Sequence, residues 1–253
     1  TKTWELKNTG TCNWTSSYSL VFANEGTAMD GPASQPLTTG TVAPGQSIQV
    51  SVNLKAPDKG GSYRGYWQLR NGANVLFGSK FYVDIKVSIP EYNLVDNYCK
   101  AEWRNNANDV FTCPGTEGDI NGFVIKLDKP ALENKSIDDE SALWTNPPAI
   151  DNGVISGKFP AVKIVSGNKF KAVIGCLDNA TNCNVIFSLK YKADGGAEQT
   201  LAEWNQTFDG SLTKIDLDLS SLAGKSVEFI LSVRANGPSD QDEAFWLQPR
   251  VTQ

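Results

Sequence analysis

Seven tryptophans and no histidine decide what chemistry these 253 residues can attempt. Without imidazole there is no Ser-His-Asp or Cys-His arrangement, no His-ligated metal, and no side chain that titrates near neutrality unaided. Carboxylate chemistry stays available. A glycosidase needs two Asp or Glu about 5 to 10 Å apart in a cleft, and the dense acidic runs are Asp138-Asp139-Glu140 and Asp240, Asp242 and Glu243. Both lie in loops flanked by Gly, Pro and Ser, where a solvated turn explains them without chemistry. A carboxylate-dependent glycosidase is therefore a distant third reading, and no catalytic residue is assigned. Glycine motifs of the phosphate-cradling or esterase type do not occur. The same acidic runs could offer oxygen ligands to calcium, though neither has EF-hand spacing, and no residue is assigned to a metal.

The tryptophans do a different kind of work. A sugar ring packs its apolar C–H face on Trp or Tyr while nearby Asp, Asn and Arg take the hydroxyls, so a recognition site needs an exposed aromatic beside a few polar groups. Trp144, in Ala142-Leu143-Trp144-Thr145-Asn146-Pro147-Pro148, is expected in a loop with polar neighbours and is the first candidate, with Asn146. Trp204, within Glu203-Trp204-Asn205-Gln206, is the second. Trp246 reads as core, and Trp103 stays open. For each, simple filling of a β-sandwich core competes with ligand binding.

Period-two patterning identifies the elements that must hold these groups. In Tyr63–Arg70, Tyr63, Gly65, Trp67 and Leu69 share one face of a strand, and Arg64, Tyr66, Gln68 and Arg70 the other. Arg64, Tyr66 and Arg70, with Tyr82 from a later strand, form a candidate interaction surface rich in the residue types interfaces favour. Ile48, Val50, Val52 and Leu54 alternate likewise, as do Phe81, Val83, Ile85 and Val87. The same alternation returns at Phe170–Ile174, Val185–Tyr191, Ile215–Leu219 and Val227–Val233, before Phe245-Trp246-Leu247. Turn residues separate the runs and no long helical period survives between them. Pro90 follows a strand and cannot donate to a ladder, which marks a short joint. The expectation is all-β: a β-sandwich of immunoglobulin size over 1–89 and a jelly-roll sandwich over 90–253.

Charge divides at the same place. Residues 1–89 carry 8 Lys/Arg against 5 Asp/Glu and residues 90–253 carry 15 against 23, so a mildly basic unit precedes an acidic one. Neither shows the concentrated basic face of a nucleic-acid binder. No apolar run is long enough to span a bilayer. The chain starts at Thr1 inside a strand pattern, without a signal-like segment, and reads as a fragment or processed product. Five cysteines leave one over: Cys99 with Cys113 and Cys176 with Cys183 bracket short loops and are expected to pair, while Cys12 is expected to be a small buried apolar residue. Two such bridges imply an oxidising, extracellular setting.

The first unit also resembles a known family. W-x-L-x-N-T-G-x-x-x-W from Trp4 to Trp14, Ala43-Pro44-Gly45, Ala56-Pro57, G-x-Y-x-G-x-W-x-L from Gly61 to Leu69 and Phe77-Gly78 look like the four-tryptophan Ig-like domain. That domain is known from the next-to-BRCA selective-autophagy receptors and from bacterial surface proteins. Trp4, Trp14 and Trp67 hold three signature positions and Tyr82 stands at the fourth. The resemblance implies a protein-interaction or cell-surface module. Residues 155–253 resemble, more weakly, galactose-binding-like jelly rolls of the carbohydrate-binding type. The similarity lies in Gly167–Cys176, Val185–Tyr191 with its D-G-G turn, Asp218–Gly224, and D-x-A-x-W-x-x-P-R from Asp242 to Arg250. It implies recognition of a glycan, with a structural calcium ordering loops where such a relative holds one, and no other cofactor. The reading is therefore a non-catalytic extracellular module that binds a glycan or cell-surface polymer through its second unit. A structural or adhesive protein-contact module is the alternative.

Overall fold

The computed structural model describes residues 1–253 and divides them into two compact units, Thr1–Ile89 and Pro90–Gln253. The first has six strands: β1 (Lys2–Lys7), β2 (Ser19–Gly26), β3 (Ser34–Pro36), β4 (Ser47–Val52), β5 (Gly61–Arg70) and β6 (Leu76–Val87). β1 pairs with β4 in one sheet, and the other runs β3–β2–β5–β6, every pairing antiparallel. The alternation of β5 holds: Gly65, Trp67 and Leu69 are buried, while Arg64 is exposed and Tyr66 half-buried. Trp67 is fully buried, and the rings of Trp4 and Phe22 lie 5.6 and 5.3 Å from it. Aromatic packing of this kind is worth more than its area alone.

Two features of the N-T-G and G-x-W motifs have direct physical causes. Asn8 is buried, and its Nδ2 donates to the carbonyls of Cys12 and Val42, both at 2.9 Å, while its Oδ1 accepts from Gly10 N–H. One amide thus closes the turn after β1 and ties it to the strand partner of Trp14. Gly65 is required because a Cβ there would stand 2.2 Å from the Thr27 carbonyl, where the chain leaving β2 crosses β5. The turn that Asn8 closes also corrects the expectation for Cys12. Asn8 draws its carbonyl inward and the side chain is left outside, so Cys12 is an exposed free thiol and not a core residue.

The second unit has twelve strands: β7 (Tyr92–Asn93), β8 (Glu102–Asn105), β9 (Phe123–Leu127), β10 (Ala142–Asn146), β11 (Val154–Lys158), β12 (Val162–Lys163), β13 (Lys169–Cys176), β14 (Asn184–Ala193), β15 (Gln199–Thr207), β16 (Thr213–Asp218), β17 (Ser226–Ala235) and β18 (Ala244–Thr252). One sheet runs β16–β13–β18–β10–β9 with β7 on β18, and the other β15–β14–β17–β11–β8 with β12 on β17. Neighbours in each sheet are mostly distant in sequence, as expected of a jelly-roll sandwich. Between the sheets lies one core, with Val124, Leu143, Phe170, Ile174 and Trp246 from the first sheet against Trp103, Ile155, Phe187, Phe229 and Leu231 from the second.

A smaller core lies on the opposite face of the first sheet. There Leu132, from the loop between β9 and β10, packs with Ala142, Leu177, Phe245 and Leu247. The expected disulfides form, Cys99–Cys113 and Cys176–Cys183. No helix in the chain is long and apolar enough to cross a membrane.

Candidate functional site

Trp144 lies not in a loop but on strand β10, paired with β9 and β18, where Leu143 joins the main core and Trp144 faces the other way. The Trp144 ring is half-buried and meets Phe123 edge-on at 4.9 Å. Beside it is a cavity of about 260 Å³ to which three segments contribute: Phe123, Trp144 and Asn146 from β9 and β10, Ser239 and Gln241–Glu243 from the loop into β18, and Glu117 and Gly118 from the loop ahead of β9. Trp144 and Asn146 share the cavity as their sequence spacing suggests, and the fold adds three carboxylates to them, Glu117, Asp242 and Glu243.

The loop into β18 is held by the segment that the Cys176–Cys183 bridge closes, and by Asn184 just beyond it. Gln241, at φ +60°, accepts from Asn182 N–H and Thr181 Oγ1, both at 3.2 Å. Asp240 Oδ2 accepts from Asn182 Nδ2, and Asp242 Oδ1 accepts from Asn184 N–H at 3.0 Å. Fixing these positions turns Asp242 inward until only 1% of it is exposed.

Three polar atoms here are buried without a partner: Asp242 Oδ2, Glu243 Oε2 and Trp144 Nε1. Burial pushes the Asp242 carboxyl up to about 6, opposed by the Asn184 N–H and reinforced by the charge of Asp240. Glu243 is raised as well, first by burial, with an Asn179 hydrogen bond opposing and the charges of Glu117 and Asp178 adding. No Lys or Arg lines the cavity, and none of these five acids is in an ion pair. No group of three or more His, Cys, Asp or Glu is arranged to hold a metal ion. The other acidic run, Asp138-Asp139-Glu140, sits on a largely exposed loop.

Trp204 is not brought to this cavity. It stands opposite Phe187 in the β14–β15 register, packs against the main core and lies 6.4 Å from Trp246. Trp103 and Trp246 are buried, Trp103 donating its indole N–H to the Tyr98 carbonyl at 2.8 Å.

On the first unit the outer face of β5 and β6 gathers Arg64, Tyr66 and Tyr82. The Arg64 guanidinium lies 4.5 Å from the Tyr82 ring centre and pairs with Asp84, and the two tyrosine rings are 5.9 Å apart. Arg70 is tied elsewhere, donating to Ser19 Oγ and Ser34 Oγ. Tyr82 is 49% exposed, so Tyr82→Ala is expected to change stability by less than about 1 kcal/mol, the worth of one exposed cation–π contact. A chemical melt of the variant checks this, and a larger loss would assign the face to folding and not to recognition.

These two sandwiches, one with an aromatic and basic sheet face and one with an aromatic and acidic cavity, define an all-β protein with two separate polar-aromatic surfaces. Residues 1–87 match the family model described as the Ig-like domain from next to BRCA1 gene. Protein JOKA2 of Solanum tuberosum is 32% identical over 100 residues, which is 38% of this chain and 12% of that protein's length.

Among solved structures, CBM51-2 with GlcNAc and the INT domains from Clostridium perfringens ZmpB aligns at TM-score 0.40 and 17% identity, covering 78% of this chain and 38% of that one. CBM51 from Clostridium perfringens GH95, in complex with methyl-galactose, aligns at TM-score 0.39 and 15% identity, covering 64% of this chain and 100% of that one. A carbohydrate-binding module of the β-sandwich superfamily aligns at TM-score 0.39 and 11% identity, covering 93% and 84%.

Proposed function

We propose that the chain is a non-catalytic extracellular binding module that recognises a glycan or related cell-surface polymer in the cavity beside Trp144, with the first unit as an interaction or spacer module. The carrying observation is the convergence of a half-buried indole with an unpartnered N–H, the Asn146 amide and three carboxylates on one cavity of about 260 Å³. Pockets for drug-sized ligands run from about 300 to 1,000 Å³, so this one suits a single sugar unit of a longer polymer. The aromatic face takes the ring, and Asn146 and the acids take its polar groups. No resident cofactor is assigned, and a structural calcium remains part of the reading only as a loop-ordering ion. The two disulfides support an oxidising compartment.

A glycosidase fits less well. Its two carboxyls must sit in environments that drive their pKa values apart, whereas Asp242 and Glu243 are sequence neighbours and burial raises both. Protein contact through Arg64, Tyr66 and Tyr82 is the second reading, favoured by the exposed Tyr82 ring stacked under Arg64.

A glycan array with wild type and Trp144→Ala separates these readings. Loss of one aromatic platform is expected to weaken glycan binding at least tenfold, on the order of a moderate hot spot. If wild type binds nothing on the array, the cavity reading fails and the sheet face of the first unit takes its place.

A further inference from the structure

We infer, on the reading that this cavity binds a sugar, that the sugar carries an unacetylated amino group, whose ammonium faces Asp242 and Glu243 while its ring lies on Trp144. A neutral sugar would satisfy the indole and the amide and leave the acids as they are. Those acids are the unresolved feature of the site: Asp242 is 1% exposed, and both carboxylates keep an oxygen without any donor. Orphaned buried charge of this kind is costly unless a cation answers it.

The protein does not supply that cation. The charged groups around the pair are Glu117, Asp178 and Asp240, all acidic, and Lys135 instead reaches the Asp178 main-chain carbonyl at 2.8 Å and lies 5.3 Å from the Phe208 ring centre. Phe123 and Trp144 line the same cavity, and an aromatic lining also favours a cation. An aromatic pair, three carboxylates and no base make a receptor for an organic ammonium. A primary amine on a sugar joins that charge to the ring face the indole requires.

The test uses the full chain, with isothermal titration of glucosamine hexamer, N-acetylglucosamine hexamer and a lysine hexapeptide, each in chelator and again with calcium. Glucosamine hexamer is expected to bind roughly tenfold or more tightly than its acetylated twin, because only it offers the charge-assisted hydrogen bonds. Glu243→Gln, and Asp242→Asn as a second variant, should each remove most of that preference and keep the wild-type melting profile or better it. Trp144→Ala should weaken both sugars.

If the acetylated hexamer binds as well or better and Trp144→Ala abolishes it, the amine assignment falls and the glycan reading survives. If neither sugar binds, both fall. A lysine hexapeptide that binds equally, with no effect of Trp144→Ala, would show only an acidic surface attracting polycations and would overturn the inference. So would calcium that raises the melting temperature of wild type but not of Glu243→Gln, because the pair would then be holding a metal.

Discussion

Glu133→Ala is expected to lower the stability of the second unit by about 4 kcal/mol, near the top of what one substitution does, while the transition of the first unit stays in place. Glu133 is 2% exposed and has no basic partner. Its Oε1 accepts from Cys176 N–H at 2.9 Å and Gln206 Nε2 at 3.0 Å, and its Oε2 accepts from Asp209 and Gly210 N–H at 3.1 and 3.3 Å. One carboxyl therefore joins the β9–β10 loop to the end of β13 and to the turn between β15 and β16. Alanine leaves four buried or half-buried donors facing a void, and the loop that carries Leu132 into the smaller core loses its anchor. Glu133→Gln should cost about half as much, because its amide group would confront two N–H donors. Calorimetry resolving two transitions measures both variants. A Glu133→Ala protein within about 1 kcal/mol of wild type would show that the anchor is dispensable.

Local features of this fold are legible in the sequence, and long-range ones are not. The strands of β5, β13, β14 and β17 announce themselves by alternation, because side-chain direction in a strand depends only on immediate neighbours. Trp67 is legible for the same reason, Trp4 and Trp14 through the spacing of the motif that resembles the Ig-like family, and the disulfides because their partners are only 14 and 7 residues apart. Glu133 gives no sign, since its four donors lie 43 to 77 residues away. At the site, Trp144 and Asn146 are visible because an aromatic and an amide stand near each other in one loop-flanked stretch. Asp242 and Glu243 show only as an acidic run. The loop that carries them is held at Asp240, Gln241 and Asp242 by donors on Thr181, Asn182 and Asn184, roughly sixty positions earlier, which no window around residue 242 contains. Trp204 shows the converse: its polar neighbours in sequence suggest a binding aromatic, whereas its register with Phe187 turns the ring toward the core. The exposed thiol of Cys12 likewise comes from Asn8 capturing its carbonyl, a contact that composition cannot reveal.

The carboxylate at Asp242 makes a second large effect, this time one that depends on pH. Its ordinary value of 3.8 is raised to about 6 in the folded protein, chiefly by burial. The folded state then holds this proton more tightly than the unfolded chain, so between those two values stability falls as pH rises. Below about 3.8 the group is protonated in both states and costs nothing, and above about 6 the full penalty applies. A shift of this size corresponds to at most about 3 kcal/mol. Asp242→Asn keeps an oxygen for the Asn184 N–H and removes the charge, so it should stabilise the second unit at pH 7.5 by about 1 to 3 kcal/mol and lose that advantage by pH 3.5. Urea melts of both proteins across that range isolate the residue from the remaining acids, which are common to the two. An advantage that stays constant with pH would mean that Asp242 is not the group carrying the penalty. If the pair binds an amine, the same substitution that adds stability should remove the preference for an amine-bearing sugar, a trade of function for stability.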